Sequence, residues 1–155
     1  MKYNKGVTLL EITIVVGILA IMVAIITPSF ANFRNKQAVE NTTQDLVSLL
    51  NEARTNTLLS KSSVFYSVHL ETNRAVLFDG GTFDTNDSSN KVITFDTQVS
   101  VPSAGISLNG GEVDVSFDRL TGDTSDYGTI IVSLISNTSI SKTITVNQLG
   151  VVSSN

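Results

Sequence analysis

GVTLLEITIVVGILAIMVAIITPSF, residues 6–30, stands behind a short leader carrying Lys2 and Lys5. From Leu9 to Phe30 the run contains a single charge, Glu11. A hydrocarbon core takes about 20 apolar residues at roughly 1.5 Å each, so 7–30 is expected to form a membrane-spanning helix. The carboxylate is the anomaly. At a helix centre in lipid such a group costs about 2.5–3.5 kcal/mol, which calls for a partner and a purpose. Two other readings fit parts of the stretch. A secretory signal peptide would need an apolar region of only about 7–15 residues and a small-residue cleavage site, for which Ser29-Phe30-Ala31 could serve. A plain uncleaved anchor explains the length and leaves Glu11 without a role.

Gly6, an apolar residue, Thr8, Leu9, one further residue and Glu11, after a basic leader, resemble the amino-terminal signal of type IV prepilins and type II secretion pseudopilins. The resemblance implies that a prepilin peptidase removes residues 1–6, cutting between Gly6 and Val7, and methylates the new terminus. Val7 stands where that family usually has Phe. It implies further that Glu11 meets the charged amine of a neighbouring subunit during assembly, which would give the carboxylate its partner. The implied partners are other pilin or pseudopilin subunits, the inner-membrane assembly machinery and, before assembly, membrane lipid. The implied location is the bacterial inner membrane, single-pass, with the carboxy-terminal part outside the cytoplasm. Charge alone decides orientation weakly, because Arg34 and Lys36 flank the far end of the run as Lys2 and Lys5 flank the near one.

Within the run, Thr13, Gly17, Ala20 and Ala24 recur at spacings of four, three and four and would form a small-residue stripe on one helix face. Such stripes let helix backbones approach closely in lipid, although Gly and Ala are also simply common in membrane helices. Pro28 lacks an N–H, so a kink is expected near the outer boundary. Beyond it the pattern becomes amphipathic. Val39, Leu46 and Ala53 form one row and Thr43, Leu50 and Thr57 another, with Leu49 and Leu58 widening the apolar side. Lys36, Glu40, Gln44, Asp45, Asn51 and Arg54 lie opposite. One helix from about Thr8 to Leu59 is the result, its amphipathic half assigned to 31–61.

After Lys61 the period changes to two. Residues 62–155 are expected to form one β-rich domain with a hairpin over 64–79, an exposed loop over 80–90 and a strand at Val92–Phe95. A second hairpin is expected to turn at Asn109-Gly110 between Gly105–Leu108 and Glu112–Phe117. Thr129–Ile135 and Ile140–Val146 form a further strand pair, for six or seven strands in all. The fold class is α+β: a long amino-terminal helix packed on an antiparallel β domain. This order is similar to that of H-type pseudopilins and T-type minor pilins, the GspH/FimT group. Val115-Ser116-Phe117 ahead of Gly122, Ile130–Leu134, and Ile144-Thr145-Val146 ahead of Gly150 carry that likeness.

The formal charge is −4, and loss of Lys2 and Lys5 with the leader would make it −6, which gives no electrostatic case for binding nucleic acid. Some T-type proteins bind DNA through a basic tail; the corresponding segment here, 147–152, has no Arg or Lys, and Lys142 is the nearest cation. Cysteine is absent, so thiolate metal sites and disulfides are excluded. No catalytic or cofactor site is expected. His69 is the only histidine and has no partner visible in sequence. Asp84 and Asp87, or Asp118, Asp123 and Asp126, are read as solvated loop carboxylates, with calcium binding as the other possibility. The functional expectation is a non-enzymatic minor subunit of a type II secretion pseudopilus or type IV pilus. The alternatives are a major pilin and a membrane-tethered binding module that does not polymerise, with DNA uptake ranked lower.

Overall fold

The computed structural model describes residues 6–59 and 64–155, except for the side chains of 26–29 and 31. The leader positions 1–5 and the junction expected near 61 lie outside the described residues. One helix, α1 (Leu9–Leu59), precedes nine strands among the described residues. The chain divides into two compact units, Met1–Asn35 and Lys36–Asn155.

In the first unit α1 starts where the sequence places it. Thr8 is not helical, and its carbonyl accepts the first helical hydrogen bond from Ile12 at 3.2 Å.

In the second unit the helix buries the face that its period marks out. Val39, Leu46, Leu49, Leu50 and Ala53 are almost completely buried. Thr43 and Thr57 share this face at no hydrogen-bonding cost, because each hydroxyl donates to the carbonyl four residues back, Val39 at 2.7 Å and Ala53 at 2.9 Å. Thr57 Oγ1 also accepts the N–H of Tyr66 at 2.8 Å, which fixes the entry to the first strand. Leu58 departs from the expected pattern. It is 41 % exposed and sits at the rim, against Gly122.

The strands are β1 (Tyr66–Leu70), β2 (Arg74–Asp79), β3 (Lys91–Thr94), β4 (Val99–Ser100), β5 (Ile106–Leu108), β6 (Asp114–Ser116), β7 (Gly128–Leu134), β8 (Ser141–Val146) and β9 (Val152–Ser154). A four-stranded sheet runs β3-β2-β1-β6. A five-stranded one runs β4-β7-β8-β9, with β5 also on β7. All pairings are antiparallel. The hairpin expected over 64–79 is present as β1 and β2, in register from Tyr66↔Asp79 to Leu70↔Ala75. Both sheets and the helix feed one core, in which Leu46 and Leu50 join Val68, Leu77, Val115, Phe117, Ile130, Val132 and Ile144. Each such side chain contributes about 1.5–3 kcal/mol on burial.

The hairpin expected around Asn109-Gly110 does not form. The turn itself is there, with Gly111 N–H bonded to Leu108 carbonyl at 3.1 Å and Gly110 and Gly111 at positive φ. Its arms go to different sheets: β5 pairs with β7, and β6 pairs with β1. The local signal specifies a reversal, whereas strand partners are chosen by burial, and Leu108 and Val115 fill the common core from opposite sheets.

The polar side of the helix is engaged at both flanks. Glu52 pairs with Lys91 of β3 at 2.6 Å, and Glu40 pairs with Lys142 of β8 at 3.2 Å. Hydrogen bonds from Gln44 and then Lys142 hold the Glu40 carboxyl below its ordinary pKa. Arg54, read from the sequence as a solvent-facing cation, spans two loops. Its Nε donates to Gly122 carbonyl at 2.9 Å and its Nη2 to Leu149 carbonyl at 3.0 Å. Gly122 and Gly150 both have φ near +70°, and a Cβ on Gly150 would lie 1.9 Å from the Gly122 oxygen. Arg54 therefore fastens two glycine turns that only unsubstituted backbone can bring so close.

Candidate functional site

The amino-terminal signal is built on a capped helix start. Thr8 Oγ1 accepts the N–H of Glu11 at 3.2 Å, which makes Thr8 the N-cap and Glu11 the third helical residue. Thr8-Leu9-Leu10-Glu11 has the spacing of a capping box, a signal present in the sequence but overshadowed there by the apolar run. Two consequences follow. Glu11 occupies the first turn, where the helix dipole favours an anion. A carboxylate in this position therefore costs less than one at a helix centre, since the penalty falls towards the helix ends.

Gly6 and Val7 precede the cap in non-helical backbone and are exposed, Val7 at 67 %. The bond between them is thus outside the helical hydrogen-bond ladder. A chain cut there would begin two residues before α1 and four before Glu11.

Thr13 donates its hydroxyl to Leu9 carbonyl at 2.9 Å, so this polar group is satisfied within the helix. A Cβ on Gly17 would meet nothing within 4 Å, and Ala20 and Ala24 are exposed. At about 100° per residue, Thr13, Gly17, Ala20 and Ala24 fall within roughly 60° of one another, and their centre lies about 150° from Glu11. The stripe and the carboxylate thus occupy nearly opposite sides of the helix. The helix continues through position 28, while the Pro28 ring and the kink expected of it lie outside the described residues.

Large apolar side chains surround this segment. From Leu9 to Ile25 their exposure ranges from 48 % at Val15 to 86 % at Leu9, so within its own unit the segment has no apolar face set apart as a buried side. A helix apolar all round belongs in lipid or in a large core. Among the described residues no helix is long and apolar enough to cross a membrane. The described side chains of the run are interrupted after Ile25, so the span expected over 7–30 extends past them.

Residues 1–27 match the family model for the prokaryotic N-terminal methylation motif. The chain carries a prepilin-type amino-terminal signal. This is the signal of type IV pilin-like proteins processed by a prepilin peptidase, and the matched residues include Gly6, Val7 and Glu11. The match ends within α1 and covers none of the β domain. No curated protein and no solved structure matches the chain.

The β domain brings together groups that sequence separates. His69 Nδ1 lies 2.5 Å from Asp114 Oδ1, and its ring stacks on Phe83 at 4.0 Å. No partner for His69 is visible in the sequence because Asp114 comes from β6, across the sheet. Ser67 and Ser116 hydroxyls meet at 3.0 Å on the same sheet, and Ser67 also bonds Gly80 carbonyl at 3.1 Å. The aromatic rings of Phe83 and Phe78 pack edge to face, tying the 80–90 loop onto the strands.

The acidic loops organise their own backbones. Asp84 Oδ1 accepts Asn86 N–H at 2.9 Å, and Asp87 Oδ1 accepts Ser89 N–H at 2.8 Å, holding the Asp87 carboxyl below its ordinary pKa. Asp126 Oδ2 accepts Ser116 N–H at 2.9 Å. No group of three or more metal-ligating side chains occurs among the described residues. Lys142, the cation nearest the tail, is paired with Glu40.

Proposed function

We propose that the chain is a structural, non-enzymatic subunit that assembles into a type IV pilus or type II secretion pseudopilus, in the manner of a minor subunit of the GspH/FimT kind. The observation that carries this reading is the coincidence of the methylation motif with a Thr8-capped helix that exposes an apolar surface all round and holds Glu11 in its first turn.

Processing would free an amine at Val7. The helix would then sit in the inner membrane, with the β domain outside the cytoplasm, until the assembly machinery extracts it. Glu11 carries a carboxyl group close to the start of the helix, so it would take the free amine of a neighbouring copy or subunit as counter-ion. That contact gains strength when lipid and neighbouring helices exclude water. The opposed small-residue stripe would pack against a different neighbour, because one helix face cannot present both.

The test is the amino terminus of the membrane-extracted protein, by intact mass and terminal sequencing from cells with their native peptidase. A chain beginning at Val7, with or without a methyl group, is expected. A chain beginning at Met1 or Asn32 would overturn the assembly role of Glu11. Glu11→Ala should be cut normally and yet fail to enter complexes.

A further inference from the structure

A loop apex and a cavity on opposite flanks of the β domain are complementary in chemistry. At the apex of the turn after β6 stand Arg119 and Leu120. Leu120 is 90 % exposed and has φ of 76°, the only non-glycine residue at positive φ among those described. A bulky residue in the left-handed region is strained, and strain retained on an exposed apolar side chain points to a use outside the folded chain. Arg119 joins none of the ion pairs found among the described residues. The neck of the turn is closed by Gly122 N–H on Asp118 carbonyl at 2.9 Å and by Asp118 N–H on Asp123 carbonyl at 2.7 Å, and Arg54 holds it from the helix. The apex is therefore presented on a braced support.

The cavity, of about 260 Å³, lies between α1 and the end of β3. Ala38, Ile93 and Phe95 supply apolar wall, and Asp45 and Asp96 are exposed at its rim. Neither carboxylate is in an ion pair among the described residues, and the Asp96 carboxylate accepts only the N–H of Gln98 at 2.9 Å from its own turn. An apolar side chain next to a cation is the ligand that such a lining fits.

We propose that the Arg119-Leu120 apex of one copy docks in the Asp45/Asp96 cavity of a second copy of this chain. The position of the two features on α1 gives the form of the contact. The cavity is lined by helix residues 38–45 and the apex is braced by Arg54 and Leu58. At about 100° and 1.5 Å per residue, these lie roughly 170° apart around the helix and about 20 Å apart along it. Apex and cavity cannot meet within one molecule, and a contact between two different patches is heterologous, so a pair of copies joined by it leaves one apex and one cavity free. The proposal rests on the subunit reading above and names one surface through which the β domains would touch.

The chain has no cysteine, which makes cross-linking clean. Thr121, beside the apex, and Thr94, at the cavity, are both exposed and outside the proposed contact pairs. Two full-length, differently tagged chains, one Thr121→Cys and one Thr94→Cys, are co-expressed and their membranes oxidised. The expected product is a disulfide-linked heterodimer. Its yield should fall severalfold with Arg119→Glu and recover when Asp45→Arg and Asp96→Arg are placed on the other chain. Absence of the heterodimer overturns the proposal, as does a yield indifferent to Arg119→Glu, or equal linkage between two Thr121→Cys chains. Co-purification of the two tagged chains, measured with Glu11 and with Glu11→Ala, separates the failures. Glu11-dependent association without the cross-link leaves the subunit reading standing. No association of copies in either case removes the proposal together with self-assembly.

Discussion

Replacing Gly150 with alanine puts the Arg54 clamp to a quantitative test, with Gly80→Ala as its control. Both glycines have φ between +70° and +85°. An alanine at either site therefore carries similar left-handed strain, about 1–2 kcal/mol. Only their surroundings differ. A Cβ on Gly80 meets nothing within 4 Å, whereas one on Gly150 falls 1.9 Å from Gly122 oxygen and 2.9 Å from Arg54 Nε. Relieving that overlap separates the two turns by about 1 Å, enough to break the Arg54 bonds of 2.9 and 3.0 Å. Hydrogen bonds from a charged donor contribute about 1.5–3 kcal/mol each. Arg54 is partly accessible and regains water, so Gly150→Ala should destabilise the β domain by about 2–4 kcal/mol more than Gly80→Ala. Urea unfolding of the full chain in detergent, followed by near-ultraviolet circular dichroism of the half-buried Tyr66 and Tyr127, reads the difference. Equal loss in the two variants, within about 0.5 kcal/mol, would refute the claim that the turns must touch.

Leu50, fully buried in the common core, should cost about 2–5 kcal/mol as Leu50→Ala in the same assay. Thr57→Val keeps the shape but leaves the Tyr66 N–H without its acceptor; a loss of about 1–3 kcal/mol is expected, and hydrogen exchange at Tyr66 should quicken. The β domain should also weaken in acid. Glu71, held below its ordinary pKa by the hydrogen bonds of the Arg74 guanidinium, and Glu40 and Asp87, lowered as described, bind fewer protons folded than unfolded. Their contribution is complete above the ordinary carboxylate range near pH 4 and is lost as pH falls through the lower folded values. The midpoint of thermal unfolding should accordingly drop on going from neutral to strongly acidic buffer; a midpoint unchanged or raised would contradict these assignments.

What could be read in the sequence was what local pattern encodes. The span from Thr8 to Leu59 is legible because an apolar run passes directly into a segment of 3.6-residue period. The β1–β2 hairpin is legible because alternation and the Glu71–Asn73 turn specify the same register. The turn at Asn109 misled because its chemistry is local and its strand partners are not. Strand β4, two residues long, is too short to carry a period. Arg54 could not be told from any surface arginine, since its acceptors lie 68 and 95 residues away. His69 and Asp114 are 45 apart and meet only once β1 and β6 are side by side. At the amino-terminal site the opposite held. Gly6, Val7, Thr8 and Glu11 lie within six consecutive residues, so the methylation motif could be read locally, while the capped position of Glu11 needed the backbone.

The Asp126 carboxylate that takes the Ser116 N–H bears on how such domains can be crowded together. That N–H would otherwise point outward from β6, ready to accept a strand from a neighbour. The other sheet margins are short as well. β3 has four residues beginning with Lys91, β9 has three, and the margin along β7 is broken between β4 and β5 by Pro102 and a single 3-10 turn. Among the described residues none offers a long unpaired ladder. Copies held side by side at very high local concentration can thus touch through side chains while each keeps its own sheets, and they can be separated again without tearing a shared backbone.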